Sequence, residues 1–177
     1  MQKTNSLNKL RWRKPSFFVA FLVVKFGNFM IFYKCIKENI MNKPAVSRIA
    51  NILKNSKNFF FATTDGKRPF VRPFNAVVEF DDKVYFYTNN RTHAFKQIET
   101  NPFVELCAMI GEGYERWLRV SGKVEFDYRP EVKKAMLDAN PELRTMYSED
   151  DKIFYVFYLS NMSASIHSQD SATEEIC

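Results

Sequence analysis

Between Tyr114 and Asp127 the chain alternates cleanly, with Leu118, Val120, Val124 and Phe126 on one side and Trp117, Arg119, Ser121, Lys123 and Glu125 on the other. A period of two places the apolar residues on one face of a sheet, so this stretch reads as a half-buried antiparallel strand. Such a strand needs partners and a cover, and its neighbours supply both. Phe59–Thr64 reads as a buried aromatic strand, and Asp65-Gly66 as a tight turn between strands. Arg68 to Phe80 resumes extended, with Pro69 and Pro73 forbidding regular pairing and marking an edge or bulge. Asp81-Asp82 turns the chain into the strand Lys83–Thr88, which Asn89-Asn90 stops. Phe103–Ile110 is a further strand ahead of the Gly111-Glu112-Gly113 hairpin loop, and Ile153–Leu159 and Ser163–His167 complete the sheet.

Three short helices punctuate the strands. Val46, Ile49, Ala50 and Leu53 form an amphipathic stripe, with Pro44 suited to the first turn and Asn55–Asn58 ending it. Thr92–Glu99 carries Ala94, Phe95 and Ile98 on one face and closes at Asn101-Pro102. Pro130–Ala139 starts on a proline and breaks at Asn140-Pro141, before a short segment bearing Leu143, Met146 and Tyr147. The order predicts an α+β domain built on a small, mostly antiparallel β-barrel with short flanking helices. A chain of 177 residues suffices for one such domain, and 46% hydrophobic content with 18 Phe and 8 Tyr fills its core. The polar residues 169–177 are expected to fray as a tail.

The formal charge of +6 is unevenly placed. Residues 1–40 hold eight of the 26 basic residues and one of the 20 acidic ones, a net of +7, which leaves Met41–Cys177 at −1. A near-neutral body argues against a general nucleic-acid binder. Within residues 1–40, Phe17–Tyr33 is an apolar stretch broken by Lys25 and preceded by Arg11, Arg13 and Lys14. As a helix it would be roughly 25 Å long, at the short limit for a membrane span, and a central lysine is costly in lipid. Met41-Asn42-Lys43-Pro44 looks like a natural start. Residues 1–40 are therefore read as an N-terminal extension upstream of the domain at 41–168, with an anchor over 17–33 or a buried or swapped helix as the competing readings.

Cys35, Cys107 and Cys177 are odd in number and match no metal spacing, and two histidines cannot complete a zinc site with them. The expectation is no metal, a reducing compartment such as the cytoplasm, and Cys107 as a small core residue.

The most informative segment is Phe86–Gln97. A strand ends, a polar turn follows and a helix begins, and the free N–H groups of a helix N-terminus favour a phosphate. Thr88, Asn89 and Thr92 can add neutral donors, and Arg91, Lys96 and a protonated His93 can add charge. The competing reading is an ordinary cap on a surface helix. Beside it, each proline in Arg68–Asn75 removes a ladder donor, which leaves the strand irregular around Arg72 and can free backbone groups for a flat ligand. A solvated edge strand with protective charges explains the same residues.

The ordered set Arg72-Pro73-Phe74, Tyr87-Thr88-Asn89, Lys96-Gln97-Ile98, Asn101-Pro102 and Trp117-Leu118-Arg119-Val120-Ser121-Gly122 resembles the pyridoxamine 5′-phosphate oxidase-like proteins, over roughly Ile49 to His167. That resemblance implies an FMN-binding split β-barrel that forms a homodimer with two flavins at its interface. It implies that Arg72 and the backbone of Pro73, Phe74 and Asn75 lie along the ring system or phosphate arm, and that Tyr87, Thr88 and Asn89 approach ribityl and phosphate. Thr92 and His93 fall at the phosphate-binding positions, Lys96 adds charge nearby, and Trp117 stands where the oxidase has a glutamine facing the flavin. Two departures matter. Thr92-His93-Ala94 is less cationic than the oxidases' phosphate pair, and the Arg-x-His substrate segment of true pyridoxamine phosphate oxidases is missing.

The resemblance thus implies an FMN-dependent oxidoreductase fed by NAD(P)H and acting on a small molecule other than pyridoxamine phosphate; nitro-compound reduction occurs in the wider family. The alternative is a non-enzymatic split barrel that holds flavin or haem, with His93 or His167 as a haem ligand.

Overall fold

A computed structural model of the chain describes residues 20–26, 29–35, 43–56, 58–113, 115–170 and 172–177. It divides into two compact units, Met1–Ile40 and Met41–Cys177. In the first unit Ala20–Phe26 (β1) and Phe29–Cys35 (β2) pair antiparallel as a hairpin. The apolar stretch, a helix only in the competing anchor and buried-helix readings, is extended in both described segments. Its β-branched and aromatic residues (Val23, Val24, Ile31, Phe32, Tyr33) favour that choice. No helix among the described residues is long and apolar enough to cross a membrane. Arg11, Arg13, Lys14, Met41 and Asn42 lie outside the described residues.

The second unit begins with Lys43–Asn55 (α1), whose Val46, Ile49, Ala50 and Leu53 are all buried as the stripe requires. The strands Phe59–Thr64 (β3), Pro69–Phe74 (β4), Val78–Phe80 (β5) and Lys83–Asn89 (β6) follow, then His93–Thr100 (α2) and the strands Phe103–Met109 (β7) and Arg116–Asp127 (β8). The chain ends with Pro130–Ala139 (α3), a 3-10 turn at Pro141–Thr145, and the strands Phe154–Ser168 (β9) and Glu174–Glu175 (β10).

All pairings are antiparallel, in the order β4-β3-β7-β8-β9-β6-β5, with β10 added beside β9. The two ends of this order, β4 and β5, are consecutive in the chain and joined by Asn75-Ala76-Val77 alone. Such a link reaches about 14 Å at most, so the sheet must roll until its edges nearly meet. They do not pair, and the result is a barrel split along the β4/β5 seam.

The two sides of the sheet bury different layers. Phe59, Phe61, Phe86, Leu106, Leu118, Val120 and Phe157 fill the barrel and meet the stripe of α1. Tyr85, Phe154 and Val156 face outward and are covered by Val132, Met136 and Leu137 of α3 and by Leu143. This double coverage is why Tyr85 and Phe86, and Val156 and Phe157, are buried as adjacent pairs.

Several expectations need correction. Phe59–Thr64 is not buried throughout: Phe60 points out, 49% exposed, between buried Phe59 and Phe61. The extended stretch to Phe80 is two strands, parted at the seam. Ile153–Leu159 and Ser163–His167 belong to the single strand β9, which carries a bulge. Gly122 stands against Asn161 and Met162 there, the register shifting between Ser121 and Lys123, and Asn161 takes the left-handed φ of 49° that the extra residue demands. The bulge keeps Leu159 and Met162 both facing the core. The tail is tied rather than frayed at Glu174 and Glu175, which pair with Ile166 and Ser165, while the Glu174 carboxylate accepts from both terminal nitrogens of Arg48 at 2.6 and 3.0 Å.

Candidate functional site

The seam leaves a cleft of about 360 Å³ between the end of β4, the end of β6 and the start of α2. Arg72, Pro73, Phe74 and Asn75 line it from the β4 side. Tyr87, Thr88 and Asn89 line it from β6, and Thr92, His93 and Ala94 from the turn into α2. Nine of the eleven residues singled out in the sequence thus meet at one place. Lys96 does not: one helical turn further on, it lines an adjoining groove that shares only Arg72 and His93 with the cleft. Trp117 is likewise elsewhere. It sits on the outward side of β8, stacked on the cross-strand His167 with centroids 5.7 Å apart and planes 12° from parallel. Tyr147, which the sequence offered no reason to choose, closes the cleft and accepts from Asn89 Nδ2 at 3.2 Å. Its segment has no periodicity to reveal this. Only its packing on Tyr87 and Phe154 brings it there.

Arg72 is held by neutral partners. Its Nη1 donates to Thr63 Oγ1 at 2.6 Å and its Nη2 to Gln97 Oε1 at 2.8 Å, while the Thr63 hydroxyl donates to the same Gln97 oxygen at 2.6 Å. Thr63 and Gln97 are buried and Arg72 half-buried. Among the described residues no carboxylate lies within 4.0 Å of the guanidinium. Burial accordingly pulls the Arg72 pKa down from its ordinary value. The side chain is fixed in direction while its charge stays available to an anion.

The facing wall supplies donors. Thr92 is the N-cap of α2 and accepts from Phe95 N at 3.1 Å, its own hydroxyl donating to the Asn89 carbonyl at 2.8 Å. The turn is drawn tighter by Arg91 N, which donates to Asn89 Oδ1 at 2.8 Å. The cap satisfies the third N–H of the helix. Those of His93 and Ala94, in the first turn, have no acceptor within the helix and stand at the positive end of its dipole. Burial pushes the Tyr87 phenol up, with Tyr147 and Glu142 adding to it, so Tyr87 stays a neutral hydroxyl at this wall. A cation aimed by neutral oxygens, a helix N-terminus and a wall of Pro73, Phe74 and Tyr87 suit a flat ligand that carries a phosphate.

Fold and site together define a split-barrel protein with a phosphate-suited cleft at its seam. The family model described as pyridoxamine 5′-phosphate oxidase matches residues 46–156. A NimC/NimA family protein from Clostridium acetobutylicum is 39% identical, covering 76% of this chain and 93% of that one, with a TM-score of 0.71. The general stress protein 26 of Bacillus anthracis (17% identical, 75% and 97% covered, TM-score 0.56) shares the fold. So does a haem-binding protein of Mycobacterium smegmatis (15% identical, 74% and 56% covered, TM-score 0.57). Curated proteins yield no match. The chain belongs to the pyridoxamine 5′-phosphate oxidase-like family.

Proposed function

We propose that the protein is an FMN-dependent oxidoreductase that takes electrons from NAD(P)H and passes them to a small molecule other than pyridoxamine phosphate. The observation that carries this reading is Arg72, oriented by Thr63 and Gln97 with no carboxylate within 4.0 Å among the described residues, lining the cleft together with the first turn of α2. The cleft's volume falls in the range of small-ligand sites, and its donors are those a phosphate monoester needs.

Arg72 and the N–H groups of His93 and Ala94 hold the phosphate. Thr88, Thr92 and Asn89 hydrogen-bond the sugar-alcohol arm, and Pro73, Phe74, Asn75 and Tyr87 flank the ring. Bound FMN supplies the hydride chemistry, and the chain contributes binding, orientation and exclusion of water. A homodimer is part of this reading: the cleft is open in one chain, and Trp117, outside it, would contribute across the interface. Nucleic acid has no role here, the membrane has one only if residues 17–33 anchor the chain, the compartment is the cytoplasm, and residues 1–40 stand outside the flavin domain.

The test is the absorption spectrum of the purified full-length chain. A yellow protein that releases FMN and is bleached by NADH or NADPH is the expected result. A yellow protein that neither nicotinamide bleaches points to a flavin store without this chemistry. A Soret band, motivated by the haem-binding neighbour and by His93 at the cleft, would replace the flavin reading with haem binding. A colourless chain unaltered by added FMN would sink it.

A further inference from the structure

Helix α1 carries a second stripe beside the one that meets the core. Arg48, Asn51, Ile52 and Asn55 recur at the same three- and four-residue spacing. They line an open cavity of about 660 Å³ between α1 and the β7–β8 hairpin, and this cavity shares no lining residue with the cleft at the seam. Its apolar part is continuous with the barrel core, because Ile166 belongs to that core and Ile52 and Ile110 pack against it. Asn51 and Asn55 add amides on the α1 side, while the Ser56 hydroxyl is spent on the Leu53 carbonyl at 2.9 Å.

Two cations stand at this cavity, Arg48 from α1 and Arg116 from the start of β8, and no acid is among its lining residues. One carboxylate nevertheless answers both from the tail. Glu174 accepts from Arg48 Nη1 and Nη2 at 2.6 and 3.0 Å, and Arg116 Nη2 stands 4.0 Å from its second oxygen. Two parallel bonds from one guanidinium are the geometry in which arginine recognises a free carboxylate. The bonds from Arg48 hold the Glu174 carboxyl below the usual range. The hold is light, however. The strand that carries Glu174 is two residues long, and Arg48, Arg116 and Glu174 are each about half exposed, so a solute carboxylate competes with the tail on nearly even terms.

We propose that this cavity is a second ligand site, for a small carboxylic acid with an apolar body, and that Glu174 is its built-in competitor. The ligand's carboxylate takes the Arg48 fork in place of Glu174 and comes under the charge of Arg116. Its hydrocarbon lies against Ile52, Ile110 and Ile166. The proposal is independent of what fills the cleft at the seam.

The full chain is titrated with hexanoate, acetate and hexan-1-ol by calorimetry. Hexanoate is expected to bind at least about tenfold more tightly than acetate, because part of its chain leaves water, and hexan-1-ol, which lacks the charge, is expected not to bind. Glu174→Ala removes the competitor and tightens hexanoate about fivefold, the factor for one exposed pair. Arg48→Ala, on the exposed side of α1, abolishes hexanoate binding while its melting temperature stays within about 3 °C of the wild type. Hexanoate that binds no better than acetate, or equally well to the wild type and Arg48→Ala, overturns the proposal. So does a Glu174→Ala chain with no gain in affinity, since Glu174 would then only tie the tail, and so does the absence of binding by both the wild type and Glu174→Ala.

Discussion

Replacing Gln97 with glutamate alters one functional group and inverts the electrostatics of the cleft. Gln97 Oε1 accepts from Thr63 at 2.6 Å and from Arg72 at 2.8 Å. A glutamate keeps that acceptor and converts a neutral anchor into an ion pair. At about 4 Å and an effective dielectric constant near 20, two unit charges interact by about 4 kcal/mol. Partial exposure of Arg72 lowers that, and a phosphate bound through the same guanidinium would lose about 1.5–3 kcal/mol, or roughly ten- to hundredfold in Kd. The fold should not suffer, because both hydrogen bonds remain and the melting temperature should stay within about 3 °C. Gln97→Leu is the contrasting variant. It leaves the buried Thr63 hydroxyl without its acceptor, at a cost of about 1–3 kcal/mol, and should melt roughly 4–10 °C lower for a domain of this size. Flavin titration and thermal unfolding are measured on both variants. If Gln97→Glu melts like the wild type and binds FMN equally well, Arg72 is not the counter-charge of the phosphate and the site must be read differently.

Two further outcomes follow from the packing and the thiols. A Cβ at Gly122 would lie 3.0 Å from both Leu159 Cβ and the Ser160 carbonyl oxygen, so Gly122→Ala should destabilise by about 1–3 kcal/mol through overpacking at the bulge; an unchanged urea midpoint would show that β9 yields freely there. Burial pushes the Cys107 thiol up, Arg119 and Glu105 acting in opposite directions, so its thiolate forms only above the ordinary thiol range. Iodoacetamide labelling of the Cys107 peptide, followed by mass spectrometry, should therefore rise at higher pH than that of a free cysteine, and labelling at the pH of a free thiol would contradict the packing around β7.

Local patterns carried as far as single elements. The stripe Val46, Ile49, Ala50 and Leu53 became α1, and Thr92 became the cap of α2, because each depends on contacts a few residues apart. What failed depended on distant partners. Ser160-Asn161-Met162-Ser163 has the polar composition of a loop, yet β8 pairs on both sides of it and holds Asn161 at a positive φ inside one strand. Tyr147 reaches the cleft through the layer beneath α3, which no spacing announces. Lys96 follows His93 by three residues, close enough in sequence to suggest one site, but the helix carries its side chain past Arg72 into the next groove. Family likeness associates Trp117 with a flavin at a dimer interface; within one chain it stacks on His167.

The two prolines of β4 connect the edge of the sheet to its chemistry. Pro69 pairs with Thr64 and Pro73 with Phe60, two positions of the same parity. Proline has no N–H to give, so it fits an antiparallel partner only at the pairs that exchange no hydrogen bonds. The donors of Phe70, Arg72 and Phe74 therefore serve β3, and the missing ones fall on the opposite side, along the seam. Of the donors that β5 would need to close the barrel, Val71 alone remains. An edge so depleted neither zips shut against β5 nor templates another strand. The seam stays open for physical reasons written in Arg68–Asn75, and Arg72, set between those prolines on the face that turns inward, is left to project into the gap where Thr63 and Gln97 can aim it.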